Sequence, residues 1–433
     1  MNFVRICIAT LLIGSTVLCA ADADTITTGD SVYISYGAPE YHKMMFNPDL
    51  NMETGAENII TVNYLSGLAV DNLIGNNWFS EERAIGKAGG VTCRLAKNFL
   101  IDAALDFFSV VVAHEYFGHG ARYRELSVEN IDYGYDLPPP YGDGGGHASA
   151  MIYDSITRDE IIGIIVGGIE AQAVINRDLS MRWMTSKRIR YRESSLYYWS
   201  FRIMFDYVMN TKNILGENID GNDLNVYLTL LNTKAEVADL DNPRMSVSDL
   251  KSRFMINLVN PFLLYSMYSQ YKTYLWDGNS TTKVPMIKLG GIAYIPALRA
   301  SLTPFGPEYH LENYFHLSKK AALLDIHLGD DSFYDSWWGI DLAVQNAFQR
   351  KRLSLDINFA AWNQPGIELI RNSEGVIGDG AGGAISCMLH YDLSDKKNPL
   401  SGVIQLGYKT AGYLEGSNLE ASPIFMIGLG YRK

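Results

Sequence analysis

The sequence predicts an α+β protein whose helical domain is inserted in, or precedes, an antiparallel β-barrel. Three observations carry that expectation. The middle of the chain holds apolar segments too long for ordinary strands. After them the apolar period falls to two, the mark of strands with two unlike faces. The stretch before the helices also reads as short strands, so strand-like sequence flanks the helical part on both sides.

Taken in order, residues 1–23 read as a secretory signal. Met1 to Arg5 gives a positive start, Ile6 to Ala20 is apolar, and Ala21-x-Ala23 offers a small-residue cleavage site. The apolar run is too short and wrongly flanked for a spanning helix. Cys19 follows Leu18, where a lipid-attachment motif wants a small residue, so cleavage after Ala23 is expected. The mature chain would then work outside the cytoplasm.

Residues 24–90 form an N-terminal strand region, with strands expected at Ser31–Tyr36 and Asn58–Leu65. Residues 91–276 turn helical, in runs such as "RLAKNFLIDAALDFFSVVVAHEYFGH" and "DEIIGIIVGGIEAQAVINRDL". Thr157 and Glu160 have capping-box spacing and predict the start of the second run. Residues 285–433 make the barrel region. In "LSLDINFAAW", Leu353, Leu355, Ile357 and Phe359 share one face, and Ser354, Asp356 and Asn358 the other. About eight such segments fall between Met286 and Arg432.

Alternating strands in a secreted chain allow two readings. One is a bacterial outer-membrane barrel whose apolar face meets lipid; the other is a soluble barrel or sandwich with that face turned inward. Trp337, Trp338, Tyr314, Phe315, Tyr408 and Tyr431 near strand ends suit an aromatic girdle. The last strand, "SPIFMIGLGYRK", suits a closing strand but ends in Arg432-Lys433 rather than an aromatic residue. The membrane reading places the protein in the outer membrane or periplasm of a Gram-negative bacterium.

The net charge of −12 speaks against a nucleic-acid partner, which needs a basic footprint. The one basic run, Arg182 to Glu193, is expected to be a solvated helix face. Four cysteines, two of them in the signal, leave Cys93 and Cys387, too few for a stapled fold. Nothing local argues that the two are bridged.

The chemistry-bearing segment is His114-Glu115-Tyr116-Phe117-Gly118-His119, at the end of the apolar run "FFSVVVA". A catalytic zinc needs neutral imidazoles facing one point, a third ligand and an open position for water. Residues five apart on a regular helix point about 140 degrees apart, since each step turns about 100 degrees. A π-type bulge absorbs one residue and restores the alignment, and Gly118 is the residue that most easily permits it. Glu170 stands in a helix that is apolar almost all round, where a carboxylate needs a partner such as a metal. Gly163, Gly167 and Gly168 would let that helix approach another closely. A pair of core histidines with satisfied hydrogen bonds is the plain alternative.

The form H-E-x-x-G-H resembles the motif of the dipeptidyl peptidase III family of zinc exopeptidases. That resemblance implies His114 and His119 as zinc ligands, Glu115 as general base and Glu170 as third ligand, the gluzincin arrangement. It covers these two short motifs. The further acidic residues of the family's second motif are replaced here by Ile169 and Val174, so dipeptidyl specificity is not carried over.

The expectation is therefore a helical zinc-binding domain inserted in or preceding an antiparallel β-barrel, acting as a zinc metallopeptidase on peptide or protein substrates. Metal-activated water would attack with Glu115 as base. The alternative is a non-enzymatic outer-membrane barrel, a channel, plug or scaffold with a structural His/Glu cluster. His147, after a glycine-rich loop, reads either as a group polarising a substrate carbonyl or as a plain loop histidine. His42, His310, His316, His327 and His390 have no ligand spacing.

Overall fold

A computed structural model describes residues 41–75, 78–79, 84–136, 145–151, 156–212, 214–216, 222–234, 240–371, 374–377, 380–394 and 400–432. The expected signal and the strand at Ser31–Tyr36 lie outside the described residues.

The chain enters as β1 (Tyr41–Phe46) and turns into α1 (Met52–Ile74), whose Asn51 side chain caps the first turn by accepting from Thr54 N at 3.0 Å. The strand expected at Asn58–Leu65 is in fact the middle of α1. Ile59, Ile60 and Thr61 favour strands locally. Ala56, Ile59, Ile60 and Tyr64 recur at helical spacing, however, and their burial decides.

Then α2 (Ala84–Lys97), a π-helical turn (Asn98–Asp102), α3 (Ala103–Val112), a π-helical segment (Ala113–His119) and α4 (Gly120–Glu125) run end to end. A small hairpin of β2 (Asp132–Tyr135) and β3 (Gly146–Ser149) follows. The central helix is α5 (Arg158–Ser186), buried on all sides over most of its length. It starts at the predicted capping box: Thr157 N donates to Glu160 at 2.8 Å and Glu160 N donates to Thr157 Oγ1 at 3.2 Å. After β4 (Arg188–Arg190) come α6 (Tyr191–Asn210), α7 (Asp223–Lys234) and α8 (Val247–Phe254). A 3-10 turn (Met255–Val259), α9 (Pro261–Met267) and a π-helical segment (Tyr268–Trp276) complete the helical part. β5 (Thr281–Lys283) pairs with β4.

The remaining chain builds a ten-stranded antiparallel sheet in the order β1-β16-β15-β14-β11-β10-β9-β8-β7-β6. Short β6 (Ile287–Leu289) leads into β7 (Ile292–Thr303), β8 (Gly306–Leu317), β9 (Lys320–Gly329), β10 (Trp338–Arg350) and β11 (Leu353–Asn363). A side hairpin of β12 (Glu368–Arg371) and β13 (Glu374–Ile377) precedes β14 (Ala381–Asp392), β15 (Leu400–Lys409) and β16 (Ser422–Arg432). Because β1 pairs with β16, the helical part is an insertion between strands of one sheet.

Among the described residues this sheet does not close on itself as the expected barrel would. At β1, and on β7 beyond its short pairing with β6, an asparagine amide takes the place of a further strand's peptide group. At β1, Met45 N donates to Asn58 Oδ1 at 2.7 Å, and Asn58 Nδ2 donates to Met45 O at 2.9 Å. At β7, Ala300 N donates to Asn257 Oδ1 at 2.7 Å, and Asn257 Nδ2 donates to Ala300 O at 3.1 Å.

Strand alternation is as expected, and the polar face points inward. Leu311, Leu342, Phe359, Ile385, Leu406 and Leu429 lie exposed on the outer face. On the inner face Arg299 pairs with Glu312 at 3.0 Å and with Glu415 at 2.6 Å, and His310 pairs with Asp325 at 2.7 Å. Where β7 to β9 meet the helices the contact is apolar: Ile295, Ala297, Tyr314 and Leu323 join Ile169, Val174 and Trp183 of α5 in one core.

Two further expectations are corrected. Tyr314 and Trp337 are buried rather than girdle residues, whereas Trp338 and Tyr408 are exposed. The basic run is solvated only in part: Lys187 and Arg188 are exposed, but Arg182 binds Glu57 at 2.6 Å, and Arg192 binds Asp71 at 2.6 Å and Asp102 at 3.2 Å, both arginines being buried. His310 and His327, without sequence spacing, stack with ring centroids 5.3 Å apart inside the sheet. Cys93 and Cys387 are free thiols.

Candidate metal centre

The extra residue between the two histidines is absorbed as the spacing predicts: Ala113–His119 is π-helical. His114 Nε2 and His119 Nε2 come to 3.2 Å, with ring centroids 4.8 Å apart and planes at 76°. Glycines make this possible. A Cβ on Gly118 would sit 2.6 Å from Gly168 Cα and 2.7 Å from Gly167 O on α5, and a Cβ on Gly168 would overlap the His114 ring. Gly118→Ala therefore forces backbone against backbone. It is expected to destabilise the fold by about 1–3 kcal/mol or more in denaturant unfolding. Unchanged stability would contradict this helix crossing.

The third group at the centre is Asp223, the first residue of α7, with its carboxylate 3.4 Å from His119 Nε2. One donor atom from each of His114, His119 and Asp223 lies within 4.8 Å of the others. His119 is almost wholly buried, while the Asp223 side chain keeps 32% of its surface exposed, so the centre opens on the Asp223 side.

Neighbouring groups orient all three. His119 Nδ1 donates to Ile164 O at 2.7 Å, so that in the neutral ring the Nε2 lone pair faces the centre. Tyr207 Oη donates to Asp223 Oδ2 at 3.1 Å and accepts from Asp223 N at 3.0 Å, fixing that carboxylate. Tyr207 also meets the His114 ring edge to face, and the buried Gln172 amide lies against His114.

The electrostatics follow. Burial, with the neighbouring His119, pushes His114 down to about 4. Burial alone would lower His119 too, but Asp223 outweighs it and raises His119 to about 9. Burial raises the Asp223 carboxyl less than His119 and Tyr207 lower it, so it stays below its ordinary value.

Glu115 is buried next to the centre and is not one of the three donors. Burial raises its carboxyl above the usual range, against the pull of His119, and the Ala148 N–H of β3 donates to it. His147 is exposed on β3, 3.6 Å from Asp132.

Glu170 goes elsewhere. Both its oxygens accept from Arg122 Nη2, at 2.6 and 2.7 Å, and Oε1 also accepts from Gly416 N at 2.7 Å. Arg122 Nη1 donates on to Glu125 at 2.9 Å and to Ser417 O at 2.8 Å. The buried carboxylate has the partner that its setting demanded, and that partner is a guanidinium one helical turn beyond His119. Asp223 carries no sequence signal of its own; an acid at a helix start is a common dipole partner.

Comparison with protein-family models, curated proteins and solved structures gave no match.

Proposed function

We propose that the protein is a zinc-dependent hydrolase of the peptidase class, with His114, His119 and Asp223 as metal ligands and Glu115 as general base. The observation that carries this reading is the convergence of those three donors on one point beside a carboxylate that is not a donor. The donor set fits zinc: two imidazole nitrogens, one of them held by a backbone carbonyl behind it, and a carboxylate held by a tyrosine. Asp223 takes the place that the motif resemblance gave to Glu170.

Bound zinc supplies a water acidic enough to lose its proton near neutral pH and a Lewis acid for a carbonyl oxygen. The chain's own groups do the rest. Glu115 accepts the water's proton at its carboxylate and returns it to the leaving amine. Its raised affinity for protons and its enclosure by β3 suit both halves of that transfer. Three protein donors, with no fourth among the described residues, favour an open catalytic site over a closed structural cluster. The same reading sets the apolar outer face of the sheet in the hydrocarbon of a bacterial outer membrane.

Two results are expected. His114→Ala and His119→Ala lose the metal in elemental analysis of the purified variants. The detergent-solubilised wild type cleaves an unfolded, fluorescently labelled protein, loses that activity on chelation and regains it with stoichiometric Zn²⁺. Hydrolysis indifferent to chelation, or none by the zinc-loaded chain, would overturn the enzymatic reading.

A further inference from the structure

The apolar exterior does not stop at the sheet. In a water-soluble helix the apolar stripe faces the core and the charged face meets solvent. Two helical stretches here are built the other way. Along residues 84–100, Ile85, Leu95, Phe99 and Leu100 are exposed, while Arg94 and Lys97 are buried. Along residues 255–276, Val259, Leu264, Tyr268 and Trp276 are exposed, while Asn257, Asn260, Ser266, Ser269, Gln270 and Thr273 are buried. Lys272 is the exposed charge in that stretch, close to its end and paired with Asp277 at 2.6 Å. The outer face of the sheet shows the same inversion.

These elements are joined into one ring. β7 is tied to the 255–276 stretch through Asn257. That stretch is tied to α2 by Arg94 Nε donating to Leu275 O at 3.1 Å. α2 is tied to α1 by Lys97 and Asp71 at 2.9 Å, and α1 to β1 through Asn58. The sheet carries the ring back from β1 to β7. A sheet edge in hydrocarbon would leave its peptide groups unsatisfied, at a cost of several kcal/mol each. The two asparagine amides, helped by Thr61 Oγ1 donating to Lys43 O at 2.7 Å, satisfy such groups at Met45 and Lys43 on β1 and at Ala300 on β7.

We infer that α1, residues 84–100 and residues 255–276 complete the perimeter that the strands leave open, and that this ring of strands and helices faces bilayer hydrocarbon all the way round. The inference rests on the membrane placement proposed above and extends it to the helical sector. The occupant is lipid acyl chain rather than a protein partner, for two reasons. Exposed apolar residues occur on the strands and on both helical stretches alike, with Leu73 and Ile74 exposed at the end of α1. The eight long strands, of 10 to 13 residues, also suit the roughly 9–11 residues that a tilted strand needs to cross a bilayer. No helix among the described residues is long and apolar enough to cross a membrane alone, as one-sided helices in a shared wall need not be.

The test uses the full chain with Cys93 and Cys387 changed to alanine, reconstituted in phosphatidylcholine vesicles. Single cysteines replace Leu311 or Phe359 on the sheet, Phe99 or Leu264 on the helices, and Lys319 in a turn, each carrying an environment-sensitive fluorophore. Quenching is read with nitroxide-labelled acyl chains and with aqueous iodide. We expect acyl-chain quenching and loss of iodide quenching at the sheet and helix positions, with the reverse at Lys319. Lipid contact at Leu311 and Phe359 with iodide access at Phe99 and Leu264 would overturn the helical sector and leave the membrane reading standing. Iodide access at all four would overturn both. Helix labels shielded from both quenchers would mean that a protein covers them, which also overturns the inference.

Discussion

Glu170→Ala is expected to keep the metal and weaken the fold, and Asp223→Ala to do the opposite. Glu170 is fully buried and neutralises Arg122, itself buried and tied to Glu125 and to the backbone between β15 and β16. Removing one partner of such a pair strands the other charge, at a cost of about 3–5 kcal/mol. Denaturant unfolding of Glu170→Ala should show that loss, with zinc still bound to the folded fraction. Asp223 is partly exposed, and its carboxylate serves the two histidines. Loss of an outer partner of a metal ligand already costs about 10–100-fold in affinity, so loss of the ligand itself should cost at least that. Zinc titration of Asp223→Ala reads it directly. A Glu170→Ala variant that folds normally and loses zinc would restore Glu170 as the ligand and remove Asp223.

Glu115→Gln is expected to retain zinc and to lose hydrolysis by about 10²–10⁴-fold, the usual contribution of a positioned general base. The amide keeps the shape of the buried side chain and cannot take a proton from water. Metal content and turnover must be measured on the same preparation, because the outcomes separate two roles. Loss of metal together with activity would make Glu115 a ligand. Unchanged turnover would mean that the base is another group.

How much of this could be read in advance follows from the range over which each signal acts. The π-helical segment was legible because five-residue spacing of two histidines with Gly118 between them leaves few other ways to face one point. The capping box at Thr157 was legible because it is complete within four residues. The helical part and the eight long strands were legible from period alone, whereas β1, which makes the helical part an insertion, is not among the expected strands. Period does not say which face is inside, however. That choice rests on long-range pairs such as Arg299 of β7 with Glu415 in the connection between β15 and β16, invisible in either segment by itself. The same blindness hid the partners of Arg182 and Arg192, which sit on α1 and in the first π-helical turn. At Asn58–Leu65 the β-branched residues spoke for a strand, and tertiary burial of the opposite periodicity overruled them. At the centre, Glu170 was rightly seen as a carboxylate in need of a cation. The cation it meets in the structure is Arg122, which reaches it across the helix crossing. Asp223 has no such signal, because a carboxylate brought to the two histidines from a distant helix start has no spacing to betray it.

The central claim is that His114, His119 and Asp223 form a metal centre. Elemental analysis of the purified wild-type chain, prepared without added metal and without chelator, tests it most directly. One zinc per chain is the predicted result. A preparation that is folded and free of any transition metal, and that takes up none from a zinc-buffered solution, would contradict it.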